Sequence, residues 1–266
     1  MPLAIQETLL PGNTLLEKLK NARSLGFEGV EFPADGLGDR VPQIVEGLQQ
    51  TGLRPSAVNL GRRDGYIAPE LNVREAAISA LREAMADSVD IGAHRVIFVP
   101  HFGAPRMPDL TPYRAPVELA GEMMIWLLRG MSDLAYAIGI ELDMQPRNRD
   151  DTYFMNRLEH AVFFRQKIKD HPHVMIAPHL FHMAGEESDP VQTLHKHAAH
   201  IAYLHLADSN GGLPGTGDLD FEAIANVLRE NEYAGWVTLA GETGGTGDVM
   251  AALSACVERL RRAGFP

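Results

Sequence analysis

The sequence predicts a single (β/α)8 barrel, also called a TIM barrel, spanning residues 1–266. Short apolar segments alternate with longer amphipathic ones, and eight such pairs fit within the chain. No low-complexity segment, charge block or Ser/Gly linker divides it. A doubly wound open sheet would favour a Gly-rich phosphate loop after the first strand. The segment "QETLLPGN" is not such a loop, so the barrel is preferred.

The predicted strands are short apolar runs bounded by Gly, Pro or polar residues. In chain order they are 3–7, 29–32, 53–61, 95–100, 140–146, 174–180, 201–208 and 236–242.

The predicted helices have apolar residues at helical spacing, and most of them end near Gly. In chain order they cover 13–26, 41–52, 73–92, 117–139, 154–172, 195–200, 220–235 and 247–264.

Composition excludes several classes of protein. The net charge is -11, and an acidic chain is a poor candidate for binding the nucleic-acid backbone. No apolar run approaches the ~18 residues of a membrane span, and no secretory leader is visible, so we expect a cytoplasmic protein. The one cysteine, Cys256, lies in an apolar helical pattern and is expected to be buried.

The segment "IELDMQPRNRDD" raises a question about the fifth strand. Side chains alternate across a strand, so Glu141, Asp143 and Gln145 share one face and Leu142 and Met144 the other. In a barrel the apolar face meets the helices, so the polar face points inward, with Gln145 nearest the mouth. We expect Asp143 to be buried and paired with a histidine or arginine.

Polar residues stand at or near the ends of several other strands, where active sites of such barrels lie. Histidines there could act as ligands, acids, bases or hydroxyl-binding groups. The candidates are Glu31, His101, His179, His182, His205 and Glu242.

Four motifs carry a resemblance over nearly the whole chain: "PRNRDDTYFMN", "LFHMAGEE", "LHLADSNGGLPGTGDLDF" and "YAGWVTLAGE". The chain resembles the xylose isomerase-like barrels, which include sugar isomerases, sugar epimerases and endonuclease-four-type enzymes. In pattern it is most similar to the tagatose/psicose 3-epimerases and hydroxypyruvate isomerases.

The resemblance implies one divalent cation, held by Glu, Asp, His and Glu at the ends of the last four strands. The matching positions here are Gln145, His179, His205 and Ala240, so only the histidine is retained. Neutral Gln145 cannot exchange a proton as the family's glutamate does, and Ala240 has no polar side chain.

Other positions of the pattern are mixed. His182 matches the family's substrate-binding histidine, whereas Asp151 stands where a Glu is usual. Gly211 replaces an arginine that contacts substrate, and Asp218 replaces a histidine.

Three interpretations follow. In the first, His179, His205 and the Gln145 oxygen bind Zn, Fe, Ni or Mn, with Glu242 brought in by a bulge. In the second, no metal is bound, and Asp143 holds His179 or His205 as an acid–base group. In the third, the barrel binds a carbohydrate without turning it over.

The preferred expectation is an isomerase, epimerase or related lyase that transfers a proton next to a carbonyl. Its catalytic residues would be His205, His179 and Asp143, and its substrate-binding residues His182, His101, Glu31, Asp151 and Glu242. The substrate would be a small sugar, keto-sugar or polyol. We expect no nucleotide cofactor, since no fingerprint for one is present. A homodimer is possible by resemblance, and a DNA-repair endonuclease is disfavoured because too few His, Asp and Glu ligands are present.

Overall fold

Eight parallel strands form a nearly closed barrel in the computed structural model, which describes residues 1–245 and 247–266. The sheet order is β6-β5-β4-β3-β2-β1-β8-β7. The strands are β1 (Leu3–Gln6), β2 (Gly29–Pro33), β3 (Arg54–Asn59), β4 (Arg95–Phe98), β5 (Glu141–Met144), β6 (Val174–Ile176), β7 (Tyr203–Leu206) and β8 (Trp236–Leu239).

Helices follow the strands and cover the outside of the barrel, and 3-10 turns occur at Glu7–Leu9 and Ala198–His200. The helices of the described residues are α1 (Leu15–Leu25), α2 (Leu37–Thr51), α3 (Leu71–Ile91), α4 (Pro116–Ile138), α5 (Leu158–Lys167), α6 (Leu180–Glu186), α7 (Pro190–His197), α8 (Phe221–Glu230) and α9 (Val249–Arg262). The predicted (β/α)8 fold is confirmed.

Local sequence explains how the elements begin and end. In α1, the Thr14 hydroxyl accepts from the Glu17 amide at 3.2 Å, and the Glu17 carboxylate accepts from the Thr14 amide. The helix ends at Gly26, whose φ of 91° lies in the left-handed region that favours glycine.

The sixth strand is shorter than the sequence predicts. Pro178 has no N–H to continue a ladder, and His179 already stands at the N-cap position of α6. The strand therefore ends at Ile176, and the chain turns into two helices, α6 and α7, before β7.

Side chains from the two faces of the sheet fill separate cores. The larger core lies between strands and helices, and a small interior cluster consists of Ala57, Ile97, Ala177 and Tyr203. The Tyr203 hydroxyl lies 2.8 Å from Ser56 Oγ and accepts from Thr238 Oγ1 at 2.6 Å. The barrel interior is therefore packed and polar groups are paired, so a ligand can enter only near the ends of the strands.

No helix in the described part of the chain has the length and apolar character needed to span a bilayer.

Candidate active site at the carboxyl ends of the strands

A pocket of about 340 Å³ opens at the carboxyl ends of the strands. The predicted convergence of Gln145, His179 and His205 at the barrel mouth is present, because all three line this pocket. The full lining is Gln6, Asn59, Gln145, Arg147, Asp151, His179, Phe181, His182, His205, Asn210, Gly211, Ala240 and Glu242.

The floor of the pocket is a chain of hydrogen bonds through His205. Gln145 Nε2 lies 2.6 Å from His205 Nδ1, and His205 Nε2 lies 2.5 Å from Glu31 Oε2. Gln145 Nε2 also donates to the Ala177 carbonyl over a long 3.4 Å. An amide nitrogen donates, so His205 Nδ1 accepts and the ring proton on Nε2 is donated to Glu31. Both ring nitrogens of His205 are thus engaged.

Glu31 is held as a carboxylate by its surroundings. Its side chain is buried, and Oε1 accepts from Gln6 Nε2 at 2.8 Å and from Asn59 Nδ2 at 2.9 Å. Burial alone would raise its pKa, but His205 and the two amide donors outweigh that effect and lower the pKa of Glu31.

His179 and His182 form a pair of neutral imidazoles on the same pocket. Their ring centres lie 4.9 Å apart, and the buried Nδ1 atom of each has no hydrogen-bond partner among the described residues. Burial, reinforced by neighbouring positive charge, holds the pKa of His179 well below its usual range. Burial and Arg147 lower the pKa of His182 to about 3. Both rings are therefore uncharged near neutral pH.

Two carboxylates line the pocket, and their environments differ. Asp151 accepts hydrogen bonds from Arg62 and Arg147, each at 3.0 Å, and these outweigh burial and lower its pKa. The exposed side chain of Glu242 has no hydrogen-bond or ion-pair partner within the described ranges, and its backbone N–H donates to Gly211 O at 2.9 Å. Glu242 is thus the pocket carboxylate that remains free to interact with a ligand.

Two candidates from the sequence lie elsewhere. Asp143 is fully buried and receives two hydrogen bonds from Arg95, at 3.0 and 3.1 Å. The expected burial and pairing with an arginine are confirmed, and the hydrogen bonds of Asp143 run to Arg95 rather than to His179 or His205. His101 is buried against Ala104 O, at 2.9 Å, and Asp64, at 3.4 Å, and does not line the pocket.

Sequence reasoning missed four polar residues of the pocket, which are Gln6, Asn59, Arg147 and Asn210. Gln6 and Asn59 are the last residues of β1 and β3, and Arg147 follows β5. The rule that singled out His179 and His205, a polar residue at a strand end, would also have found Gln6 and Asn59. Arg147 gave no such signal, since arginine after a strand is usually solvated.

The side chains at the metal-ligand positions do not fit the divalent cation that the resemblance implies. Among the described residues, no group of three His, Cys, Asp or Glu side chains is placed to hold a metal ion. Gln145 directs its amide nitrogen, which is a donor, toward His205, and Ala240 has no ligand atom. Hard cations such as Mg and Mn prefer oxygen ligands, and the carboxylates that would supply them are missing from these positions.

Comparison with known proteins agrees with the fold. The chain is 28% identical over 243 residues to the 3-dehydro-D-guloside 4-epimerase of Escherichia coli K12, covering 88% of this chain and 89% of the relative. It is 27% identical over 226 residues to the L-ribulose 3-epimerase of Mesorhizobium japonicum, covering 81% and 71%.

Solved structures show the same architecture. The apo 3-keto-D-glucoside 4-epimerase YcjR of E. coli superposes with a TM-score of 0.89 at 24% identity, covering 98% of this chain and 99% of that one. The D-psicose 3-epimerase of Clostridium cellulolyticum H10, solved with D-tagatose, gives 0.86 at 17% identity, covering 99% of both. A family model for xylose isomerase-like TIM barrels matches residues 19–261. The chain belongs to the xylose isomerase-like TIM barrel family.

Proposed function

We propose that this protein is a sugar epimerase or isomerase that moves a proton next to a carbonyl on a small sugar, keto-sugar or polyol. The two curated relatives are both named as sugar epimerases, which supports this class of reaction. The observation that carries the proposal is the mouth pocket, which combines neutral imidazoles with one free carboxylate.

His179 supplies the acidic side of the reaction. A neutral imidazole carries one N–H, which can donate to a carbonyl oxygen and stabilise the negative charge that develops there. Because burial keeps the His179 imidazole uncharged at neutral pH, it acts as a hydrogen-bond donor without carrying a positive charge.

Glu242 supplies the basic side. Its carboxylate takes the proton from the carbon next to the carbonyl, and the electron pair of that C–H bond forms the enolate double bond. Delivery of a solvent proton to the same carbon from the other face gives the epimer, and Glu242 releases to solvent the proton that it took. Return of the proton to the former carbonyl carbon, with a proton moving between the two oxygens, gives the isomer.

The remaining polar residues bind hydroxyl groups of the sugar. Gln6, Asn59, Asn210 and His182 all line the pocket. These side chains present amide and imidazole groups that can hydrogen-bond the hydroxyls of a small polar ligand.

The test is solvent exchange in D2O. We expect at least one keto-sugar of a broad panel to incorporate deuterium next to its carbonyl, followed by NMR. His179→Phe and Glu242→Gln should each slow incorporation by about 100-fold or more, because each removes a group acting on the reacting atoms.

Matched controls are His94→Gln and Glu258→Gln, which change exposed residues outside the pocket and should retain the wild-type rate. No incorporation across the panel would contradict the proposal. An unchanged rate in Glu242→Gln would contradict the role of that carboxylate.

A carbohydrate-binding barrel without turnover is the second candidate. It is favoured by the hydrogen bonds that His205 and Asp151 already make within the protein, because they leave few groups free to react with a substrate. In that case a sugar of the panel raises the melting temperature by linkage while incorporating no deuterium.

A further inference from the structure

The Gln145 amide is fixed in one orientation by two acceptors. Its nitrogen lies 2.6 Å from His205 Nδ1 and 3.4 Å from the Ala177 carbonyl. If the amide were flipped, its oxygen would face that carbonyl oxygen, and two acceptors would oppose each other. The donor orientation is therefore favoured, and it occupies the lone pair of His205 Nδ1.

The other side of the imidazole is held as firmly. His205 is fully buried, and its Nε2 contacts Glu31 at 2.5 Å. Glu31 in turn accepts from Gln6 and Asn59, so its own position is fixed by β1 and β3. Releasing either ring nitrogen would leave a buried donor or acceptor without a partner, which is unfavourable.

We infer that Gln145, His205 and Glu31 form a closed, metal-independent floor, in which the Gln145 amide replaces the cation as the group that occupies His205 Nδ1. His205 is then a positioning residue held in the Nε2–H tautomer. The inference does not depend on the reaction proposed above, because it concerns what the floor binds rather than what the pocket converts.

Neighbouring residues point the same way. Ala240 provides no ligand atom, so the eighth strand cannot contribute a carboxylate at its usual place. The unpartnered Nδ1 atoms of His179 and His182 could supply two metal ligands. Within the described residues no third His, Cys, Asp or Glu side chain completes a metal site with them. Two imidazoles are fewer than the ligands of an ordinary protein metal site.

The first experiment measures metal binding by the wild-type protein. After dialysis against chelator, it is titrated with MnCl2 and with ZnCl2 by calorimetry and by thermal shift. We expect no stoichiometric binding at micromolar concentration and no rise in melting temperature. Stoichiometric, micromolar binding of either ion that is lost in His205→Gln would overturn the inference.

The second experiment reads the tautomer directly. Nitrogen-15 NMR of the histidine side chains should show His205 with a protonated Nε2 and an unprotonated Nδ1, assigned by comparison with His205→Gln. Protonation of Nδ1 would show that Gln145 presents its oxygen and would overturn the donor assignment.

A gain-of-binding variant provides the complementary test. Gln145→Glu restores an anionic oxygen donor next to His205, so we expect its affinity for Mn to increase about tenfold or more. Gln192→Glu, an exposed change on α7, adds the same charge away from the pocket and should have no effect. All these readouts remain valid whether or not any sugar is turned over, so failure of the proposed function is distinguishable from failure of this inference.

Discussion

Asp143 belongs to a cluster of three charged groups, with Arg95 and Glu141, in the lower part of the barrel. It is fully buried, and the Arg95 guanidinium that binds it also contacts Glu141 at 2.7 Å. Burial raises the pKa of Asp143 to about 6, while Arg95 opposes that rise. The cluster thus joins β4 to β5 below the pocket.

Removing one partner of this cluster should be costly. Asp143→Ala leaves the largely buried Arg95 guanidinium with only the partly exposed Glu141, and we expect the free energy of unfolding to fall by about 3 kcal/mol. Glu141→Ala, at a side chain that is 33% exposed, should cost less than about 1 kcal/mol. Urea denaturation of both variants is the measurement. Equal losses of unfolding free energy in the two variants would show that Asp143 contributes no more to stability than Glu141.

Residue positions were easier to predict than residue partners. Alternation along the fifth strand placed Asp143 and Gln145 inside the barrel, and the structure agrees. The contact of His205 with Glu31 joins residues 174 positions apart, on strands β7 and β2, which are not neighbours in the sheet. No local pattern encodes that distance, so the sequence identified both residues without revealing that they bind each other.

At the level of elements, the end of β8 packs tightly against the loop after β7. A Cβ added at Gly241 would lie 2.1 Å from the Gly212 carbonyl oxygen, so the backbone there leaves no room for a side chain. The next residue, Glu242, donates its N–H to Gly211 O. This close approach fixes the backbone of Glu242 at the pocket edge.

Gly241→Ala should therefore destabilise the protein by about 1–3 kcal/mol, because the two backbones must move apart. Gly130→Ala is the matched control. Gly130 lies exposed within α4 with open space around it. The alanine should increase the free energy of unfolding by about 0.5–1 kcal/mol, because it reduces the backbone entropy of the unfolded chain. Chemical denaturation followed by circular dichroism measures both. A neutral Gly241→Ala would contradict the close packing.

Element boundaries were least accurate where a single residue decides them. The pattern at 174–180 predicts one strand, but the missing N–H of Pro178 stops the ladder and His179 stands at the N-cap position of a helix. The spacing of apolar residues cannot predict this change from strand to helix, because the apolar residues on both sides of Pro178 fit either element.

For the whole molecule, the buried neutral histidines make stability depend on pH. The pKa of His182 is about 3 when folded, against 6.5 for the free side chain. Below about pH 6.5 His182 binds a proton in the unfolded chain but not in the folded protein. The free energy of unfolding therefore falls as the pH decreases toward 3. Asp143, whose pKa is raised, acts in the opposite direction between about pH 4 and 6.

Comparison with a variant isolates the histidine contribution. The melting temperature of His182→Gln should fall less steeply than that of the wild type between pH 6.5 and 4.5. His94→Gln, at an exposed position, should keep the wild-type slope. Parallel profiles for wild type and His182→Gln would mean that His182 is protonated as easily in the folded protein as in the unfolded chain.

The barrel is joined least continuously between β6 and β7. Among the described residues, seven pairs of neighbouring strands form ladders of at least two consecutive residue pairs. The segments around β6 and β7 pair only through the isolated bridges Ile176–Ile201 and His179–His205. Local openings of a folded protein begin where the fewest backbone bonds must break. The barrel should thus open first along this seam, which runs between His179 and His205. Brief separation there would admit solvent to His205 and let the pocket change width while the rest of the barrel stays closed.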